Sequence, residues 1–261
     1  MRKYLFGDRE RFGLVPQPED PCWIEWQSVF TDFYYSNQKQ SIGDTVNNAG
    51  YTINRFVDFT QARVLEVGPG EVRHLQYIRS LPKEFVIVDI QQSWLDASEK
   101  VLREHGVSCD KLLIAQPRDL SVFPDNSFDI ILSFYSLEHI YPLAGWLEEI
   151  SRLLRNGGLF VGAIPCEGGI AWGLGRYLTS RRWLKRHTTI NPDKVICWEH
   201  PNYASTVLRQ LDTTFVRRKI RYWPWRVPLL DLNLVASFMY AKAAASETES
   251  SADKRAGQAR T

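Results

Sequence analysis

The chain has 261 residues, with 32 Lys and Arg against 30 Asp and Glu, 44% apolar and 24% charged residues. That is ordinary globular usage and excludes a wholly disordered chain. The length suits one α/β domain with additions, or two small domains. A net charge of +2 argues against a protein built to hold a nucleic-acid backbone, which calls for a strong basic excess.

The charged start, residues 1–15, lacks the apolar core of a signal peptide. The longest apolar stretch, Leu229 to Ala241, is interrupted by Asp231 and Asn233 and is too short to cross a bilayer. Cys22, Cys109, Cys166 and Cys197 show neither CxxC spacing nor clustering. No metal site or disulfide framework is therefore expected, and the thiols point to the cytoplasm. Nine Trp residues call for large flat apolar surfaces in the core or at a binding wall.

Residues 1–60 read as an aromatic, irregular cap that ends in a helix leading into the first strand. Short β-rich runs follow at Arg63–Val67, Phe85–Asp89, Lys111–Ala115, Phe128–Ser133 and Leu159–Ile164. They lack strict alternation, as parallel strands covered on both faces do. One helix between them carries Trp94, Ser98, Val101 and His105 on a face and ends at Gly106. A second repeats Leu143, Leu147, Ile150 and Leu154 and is stopped by Asn156-Gly157-Gly158. This alternation predicts βαβ units in an α/β, Rossmann-like, doubly wound sheet. Phe215–Arg221 and Leu232–Tyr240, joined by Tyr222-Trp223-Pro224-Trp225-Arg226, have no room for a helix between them and predict an antiparallel hairpin. The expected units are a cap (1–60), a nucleoside-binding core (61–165), a basic aromatic lid (166–210), the hairpin (211–242) and a disordered tail (243–261).

The first strand ends in Glu66-Val67-Gly68-Pro69-Gly70, with a helix expected next. Small residues there let a ligand approach the backbone, and a helix N-terminus offers free N–H groups. Asp89 ends the second strand, where a carboxylate can accept both hydroxyls of a ribose. The third glycine of a dinucleotide fingerprint would fall at Arg73, and Glu66 puts an acid beside the turn. The loop therefore suits a nucleoside without phosphates.

These segments resemble the class I S-adenosylmethionine-dependent methyltransferases, in their small-molecule branch. RVLEVGPGEVRHL resembles the first motif, FVIVDIQQSWLDAS the second, FPDNSFDIILSFYSLEHI the fourth-strand region and ISRLLRNGGLFVGAIP the fifth-strand signature. The resemblance implies a mostly parallel seven-stranded sheet with an antiparallel last strand, and S-adenosyl-L-methionine as cofactor with S-adenosyl-L-homocysteine as product. It places Glu66, Gly68 and Gly70 around the methionine moiety, Asp89 on the ribose, and Ile90 and Trp94 against adenine. Gln116, by alignment to the strand end, or Asp119, by charge, meets the adenine amino group. Ser133 and Phe134 border the transferred methyl. Val72 stands where the family has its third glycine.

His139, after the fourth strand, is the first candidate for a general base, because a near-neutral pKa suits deprotonation of an acceptor hydroxyl. His200, in WEHPN, is the second; each has a loop-ordering role as its competing reading. Arg176, Arg181, Arg182, Lys185 and Arg186, interleaved with Tyr177 and Trp183, read as a phosphate-binding stretch or as a solvated helix face. Trp172, Trp223 and Trp225 suit a sugar ring, and the stretch from WGLGR to the Tyr-Trp-Pro loop resembles methyltransferases of surface-polysaccharide assembly. Tyr34 and Tyr35 are candidate cofactor-side contacts. The expected acceptor is a small molecule or saccharide methylated on oxygen. Rival readings are a non-catalytic scaffold of the same fold and an RNA methyltransferase, the latter disfavoured by the charge balance.

Overall fold

The computed structural model describes residues 2–34 and 41–243; Tyr35 and all of the expected tail except Ala243 lie outside them. Seven strands, β1 (Arg63–Val67), β2 (Glu84–Asp89), β3 (Cys109–Leu113), β4 (Phe128–Phe134), β5 (Leu154–Pro165), β6 (Val216–Trp223) and β7 (Val235–Ala241), form one sheet in the order β3-β2-β1-β4-β5-β7-β6. The first five are parallel, and β7 runs antiparallel between β5 and β6. Alternate side chains of one strand enter opposite layers. Leu65, Val67, Val86, Val88 and Ile131 pack in one core. Val64, Phe85, Ile87, Ile130 and Leu132 pack in the other. Both faces are covered, which is why the strands read as unbroken apolar runs. Helices α6 (Leu143–Leu153) and α10 (Ala204–Thr214) fill the first layer, and α4 (Ser41–Tyr51) and α5 (Gln92–Glu104) the second.

Several local expectations are corrected. Residues 2–34 and 41–60 are not irregular: α1 (Arg2–Phe6), α2 (Arg9–Phe12) and α3 (Pro21–Phe33) precede α4. Asp8 and Asp20 cap α2 and α3 by accepting backbone N–H groups, with Pro21 at the first helical position. The helix expected after Gly70 is a 3₁₀ turn, Arg73–Tyr77. The helix at 92–104 buries Leu95, Ser98 and Leu102, and His105 is exposed, so its inward face lies one residue off the expected one. Helix α6 ends at Leu153, and β5 begins at once, so Asn156-Gly157-Gly158 lies inside the strand. Gly157, at φ +75°, donates its N–H to Lys242 O at 3.1 Å. The third strand lies two residues earlier than expected.

Helices α7 (Ile170–Leu178), α8 (Ser180–His187) and α9 (Pro192–Glu199) follow β5 and stand against the N-terminal helices. Trp26, Phe33, Leu184, Ile190 and Val195 form a third core between the two segments. The basic stretch is not one solvated face. Arg181 is buried and bonds Asp193 and Leu5 O, while Arg182, Lys185 and Arg186 are exposed. Among the described residues no helix is long and apolar enough to cross a membrane.

Candidate active site

The turn after β1 is tied to both neighbouring strands. Gly68 donates its N–H to Val88 O at 2.9 Å. Ser136 Oγ donates to Val67 O at 3.0 Å and lies 2.5 Å from Ser133 Oγ, which is buried at the end of β4. Gly68 sits at φ +69°, and a Cβ there would stand 2.6 Å from Ser136 Cβ. Gly68→Ala is therefore expected to lose at least about 1–2 kcal/mol from the left-handed backbone alone, plus the displacement of Ser136. Denaturant unfolding of Gly68→Ala, Ser136→Gly and the double variant checks this. Ser136→Gly should recover only the contact part, and a Gly68→Ala variant as stable as wild type would refute the close approach. Gly70, at φ +57°, faces open space.

Glu66 is fully buried, with neither oxygen hydrogen-bonded; His74 Nε2, 3.4 Å away, is likewise unbonded. Burial raises the Glu66 carboxyl well above the usual carboxylate range and depresses His74 to about 3, so an uncharged pair is the resting state. His74 stacks on Phe134, ring centroids 5.0 Å apart. Val72 occupies the left-handed region at φ +51° with its side chain buried, an uncommon conformation for a β-branched residue.

Asp89 ends β2, where burial raises its carboxyl and one oxygen accepts the Gln91 N–H at 2.8 Å. Beyond it, Ile90 is 66% exposed and Trp94 meets Tyr34, ring centroids 5.4 Å apart. Of the two adenine candidates, Asp119 accepts the N–H groups of Ala115 and Gln116 at 2.8 and 3.0 Å. Those bonds hold its carboxyl below the usual range. Both bonds fall on Asp119 Oδ2, and the Gln116 side chain is engaged in the same reciprocal cap, so the geometry does not separate the two candidates.

The two candidate bases, 61 residues apart in the chain, meet: the His139 and His200 rings are 4.5 Å apart, edge to face. His139 is part-exposed, with Nδ1 3.6 Å from Glu199 Oε2 and Nε2 4.0 Å from Glu138 Oε1. His200 is 12% exposed, with Nδ1 3.1 Å from Glu167 Oε2. Burial and the Arg176 charge depress it to about 3, so it stays neutral. Glu167 also receives Arg176 Nη1 at 3.0 Å and the Trp172 Nε1–H at 2.7 Å. Burial pushes its carboxyl up, but Arg176 and the adjoining cations outweigh that and hold it at about 2. Glu138, buried with no such partner, is raised to about 7.

Three more residues close this cluster. Arg9 of α2 donates to His200 O at 2.7 Å and stacks over Tyr203. Trp26 of α3 donates to Glu199 Oε1 at 2.7 Å. Buried Asn202 donates to Leu137 O and Ile140 O, so the EHPN segment fastens directly onto the loop that carries Glu138 and His139. A cavity of about 430 Å³, bounded by Glu167, Gly168, Ser205 and residues 228–232, opens beside it.

Residues 65–162 match a family model described as a methyltransferase domain. Residues 65–162 thus form a methyltransferase domain, set in the seven-stranded sheet of the class I fold. The chain is 23% identical over 161 residues to the mitochondrial arginine-hydroxylase NDUFAF5 of Danio rerio, covering 61% of this chain and 47% of that protein. It is 26% identical over 158 residues to the ubiquinone/menaquinone biosynthesis C-methyltransferase UbiE of Hahella chejuensis, covering 58% and 64%. The chain thus spans about half to under two thirds of these relatives. A SAM dependent methyltransferase from Aquifex aeolicus superposes with a TM-score of 0.53 at 12% identity, over 82% of this chain and 98% of that one, which shows the shared fold.

The residues of the methyltransferase domain fit its cofactor. The Glu66 carboxyl, buried with neither oxygen hydrogen-bonded, is an orphaned polar group beside the turn that a ligand ammonium would satisfy on ionising it. Asp89 stands at the carboxyl end of β2, and Gly70 opens onto space. Sequence reasoning missed Glu167, Arg9 and Trp26. Glu167 had a signal, a lone acid at the end of an apolar strand; Arg9 and Trp26 act across more than 170 residues and had none.

Proposed function

We propose that the chain O-methylates a small or saccharide-type acceptor using S-adenosyl-L-methionine. The observation that carries this reading is the convergence of His139, His200, Glu138 and Glu167 at the carboxyl edge of β4 and β5, beside the cofactor loop. When bound, the cofactor supplies a methyl group activated on sulfonium. The chain's part is to align an acceptor hydroxyl, exclude water and take its proton.

His139 is the proton acceptor in this reading, being the one exposed member of the pair, with Glu199 orienting the ring through Nδ1. Neutral His200 adds no positive charge to oppose proton uptake. Asp89 holds the ribose, Gln116 or Asp119 faces adenine, and Ile90 and Trp94 wall the base. Exposed Trp225 and half-buried Trp223 support a sugar ring.

Calorimetric titration with S-adenosylmethionine and S-adenosylhomocysteine, beside Asp89→Ala, tests the cofactor. Micromolar binding is expected, weakened about 100-fold in the variant, since hydrogen bonds to a charged group contribute about 1.5–3 kcal/mol. A folded wild type that binds neither would sink the activity. Labelled methyl transfer to a panel of nucleotide sugars and simple glycosides then tests the acceptor class.

One observation favours the scaffold reading. Glu66 is sealed against His74, as a fold that keeps the loop without using it would have it. Cofactor binding without turnover on any acceptor would support that alternative.

A further inference from the structure

A second cavity, of about 270 Å³, is lined by Ala49, Thr52, Arg55, Arg221, Tyr222, Trp223, Arg226, Val235 and Ser237. It holds three guanidinium-bearing residues, hydroxyls from Thr52, Tyr222 and Ser237, and no carboxylate. None of these arginines forms an ion pair with a carboxylate of the described residues. Arg221 donates to Thr52 Oγ1 at 3.4 Å and lies over Phe56; Arg55 lies over Tyr77. Aromatic faces and a hydroxyl hold these cations while leaving their charge uncompensated.

Two features prepare the place. Arg226 sits at φ +60°, a conformation that persists for a large side chain only where the surroundings over-determine it. Those surroundings are visible. Buried Asn233 accepts the Trp225 N–H and donates to Val227 O and Leu229 O, fixing the loop on both sides of Arg226. The edge strand β6 also carries Arg218 and Lys219, the latter over the Phe56 ring that Arg221 shares, adding positive charge near the cavity; Arg217, at the far end of the strand, is paired with Asp212.

The cavity lies at the same edge as the cofactor loop. Val235 pairs with Pro165 and Trp223 with Val235, so it adjoins the carboxyl end of β5. Helix α4, which lends it Ala49, is tied to the turn after β4 by the Tyr135 hydroxyl, which donates to Val46 O and Asn47 O.

We propose that Arg55, Arg221 and Arg226 form a binding site for a phosphate-bearing group, a diphosphate in particular, attached to the acceptor. This rests on the methyltransferase reading for its purpose but not for its test. Guanidinium forks match phosphate oxygens two at a time, and three around one cavity suit more than a single phosphate.

The experiment titrates the full chain with inorganic pyrophosphate, with a nucleoside diphosphate, and with vesicles of phosphatidic acid against phosphatidylcholine alone. Each is repeated on Arg221→Gln and Arg226→Gln, with S-adenosylmethionine binding measured in the same samples. Expected is saturable, salt-weakened binding of pyrophosphate or the nucleoside diphosphate, reduced at least tenfold in either variant, with the cofactor affinity unchanged. Binding confined to phosphatidic acid vesicles and lost in the variants supports the same site with a lipid-borne phosphate. No binding by a wild type that still binds the cofactor, or binding indifferent to both variants, overturns the proposal and leaves the methyltransferase reading intact. Phosphate binding without cofactor binding does the reverse.

Discussion

Glu167→Ala is expected to destabilise the protein by about 3–5 kcal/mol, the usual cost of removing one member of a buried ion pair. The carboxylate is 1% exposed and meets Arg176, the Trp172 indole N–H and His200. Its loss strands a buried guanidinium and a buried donor together. Glu167→Gln keeps an acceptor for Trp172 and should lose less. Denaturant unfolding at constant slope reads the difference, and a loss below about 1 kcal/mol would mean that Arg176 has found another partner.

The pH dependence has a definite sign. Glu167 is held at about 2 against an ordinary 4.5, so its contribution is present above pH 4.5 and is lost as the pH falls toward 2. His200 and His74 are both depressed to about 3 from 6.5. Their contribution is present above pH 6.5 and is lost as the pH falls toward 3. Between pH 6.5 and 4.5 the raised carboxyls of Glu138 and Glu66 act in the opposite sense to the two histidines, so the net fall in wild-type stability is expected below pH 4.5, and Glu167→Ala should make that fall shallower. Glu138, raised to about 7, withdraws stability as the pH climbs from 4.5 to 7, within the window where the histidines add it.

His139→Ala should lower the turnover of an identified hydroxyl acceptor by about 10²–10⁴, the range supplied by a positioned general base, with cofactor affinity unaltered. The residue is part-exposed and its contacts are long, so the fold should tolerate the change. His200→Phe keeps the edge-to-face contact but removes the Glu167 partner; it should reduce stability more than turnover. A His139→Ala loss below threefold would show that alignment alone suffices and that the histidine only orders its loop.

The parallel strands were legible because burial on both faces leaves a pattern that needs no partner to recognise: Arg63–Val67 and Phe85–Asp89 sit within a residue of their expected bounds. The meeting of His139 and His200 was foreseen only as two separate candidates. What joins them is Asn202 bonding Leu137 O and Ile140 O, a contact across more than 60 residues. The 3₁₀ turn after Gly70 escaped notice because Val72 takes a backbone conformation that its side chain disfavours, and only the packed core makes that tolerable. The basic stretch misled because charge in a sequence does not say which guanidinium has a buried carboxylate waiting for it. Arg176 has one in Glu167, Arg181 is itself buried and reaches the part-exposed Asp193, and Arg182, Lys185 and Arg186 remain outside.

Strand β7 lies inside the sheet, between β5 and β6, although it is the last of the seven in the chain. Leu159 pairs with Ala241 and Val216 also pairs with Ala241, so β6 has no place in the sheet until β7 is in hand. During synthesis the first five strands can pair as they emerge, while β6 must wait as an unpaired, strongly basic ribbon for residues 235–241. Non-local closure of this kind is slow and leaves an open edge on β5 in the interval. The four cationic side chains of β6 repel a second copy of themselves, and so protect the nascent chain from edge-to-edge association until the sheet is complete.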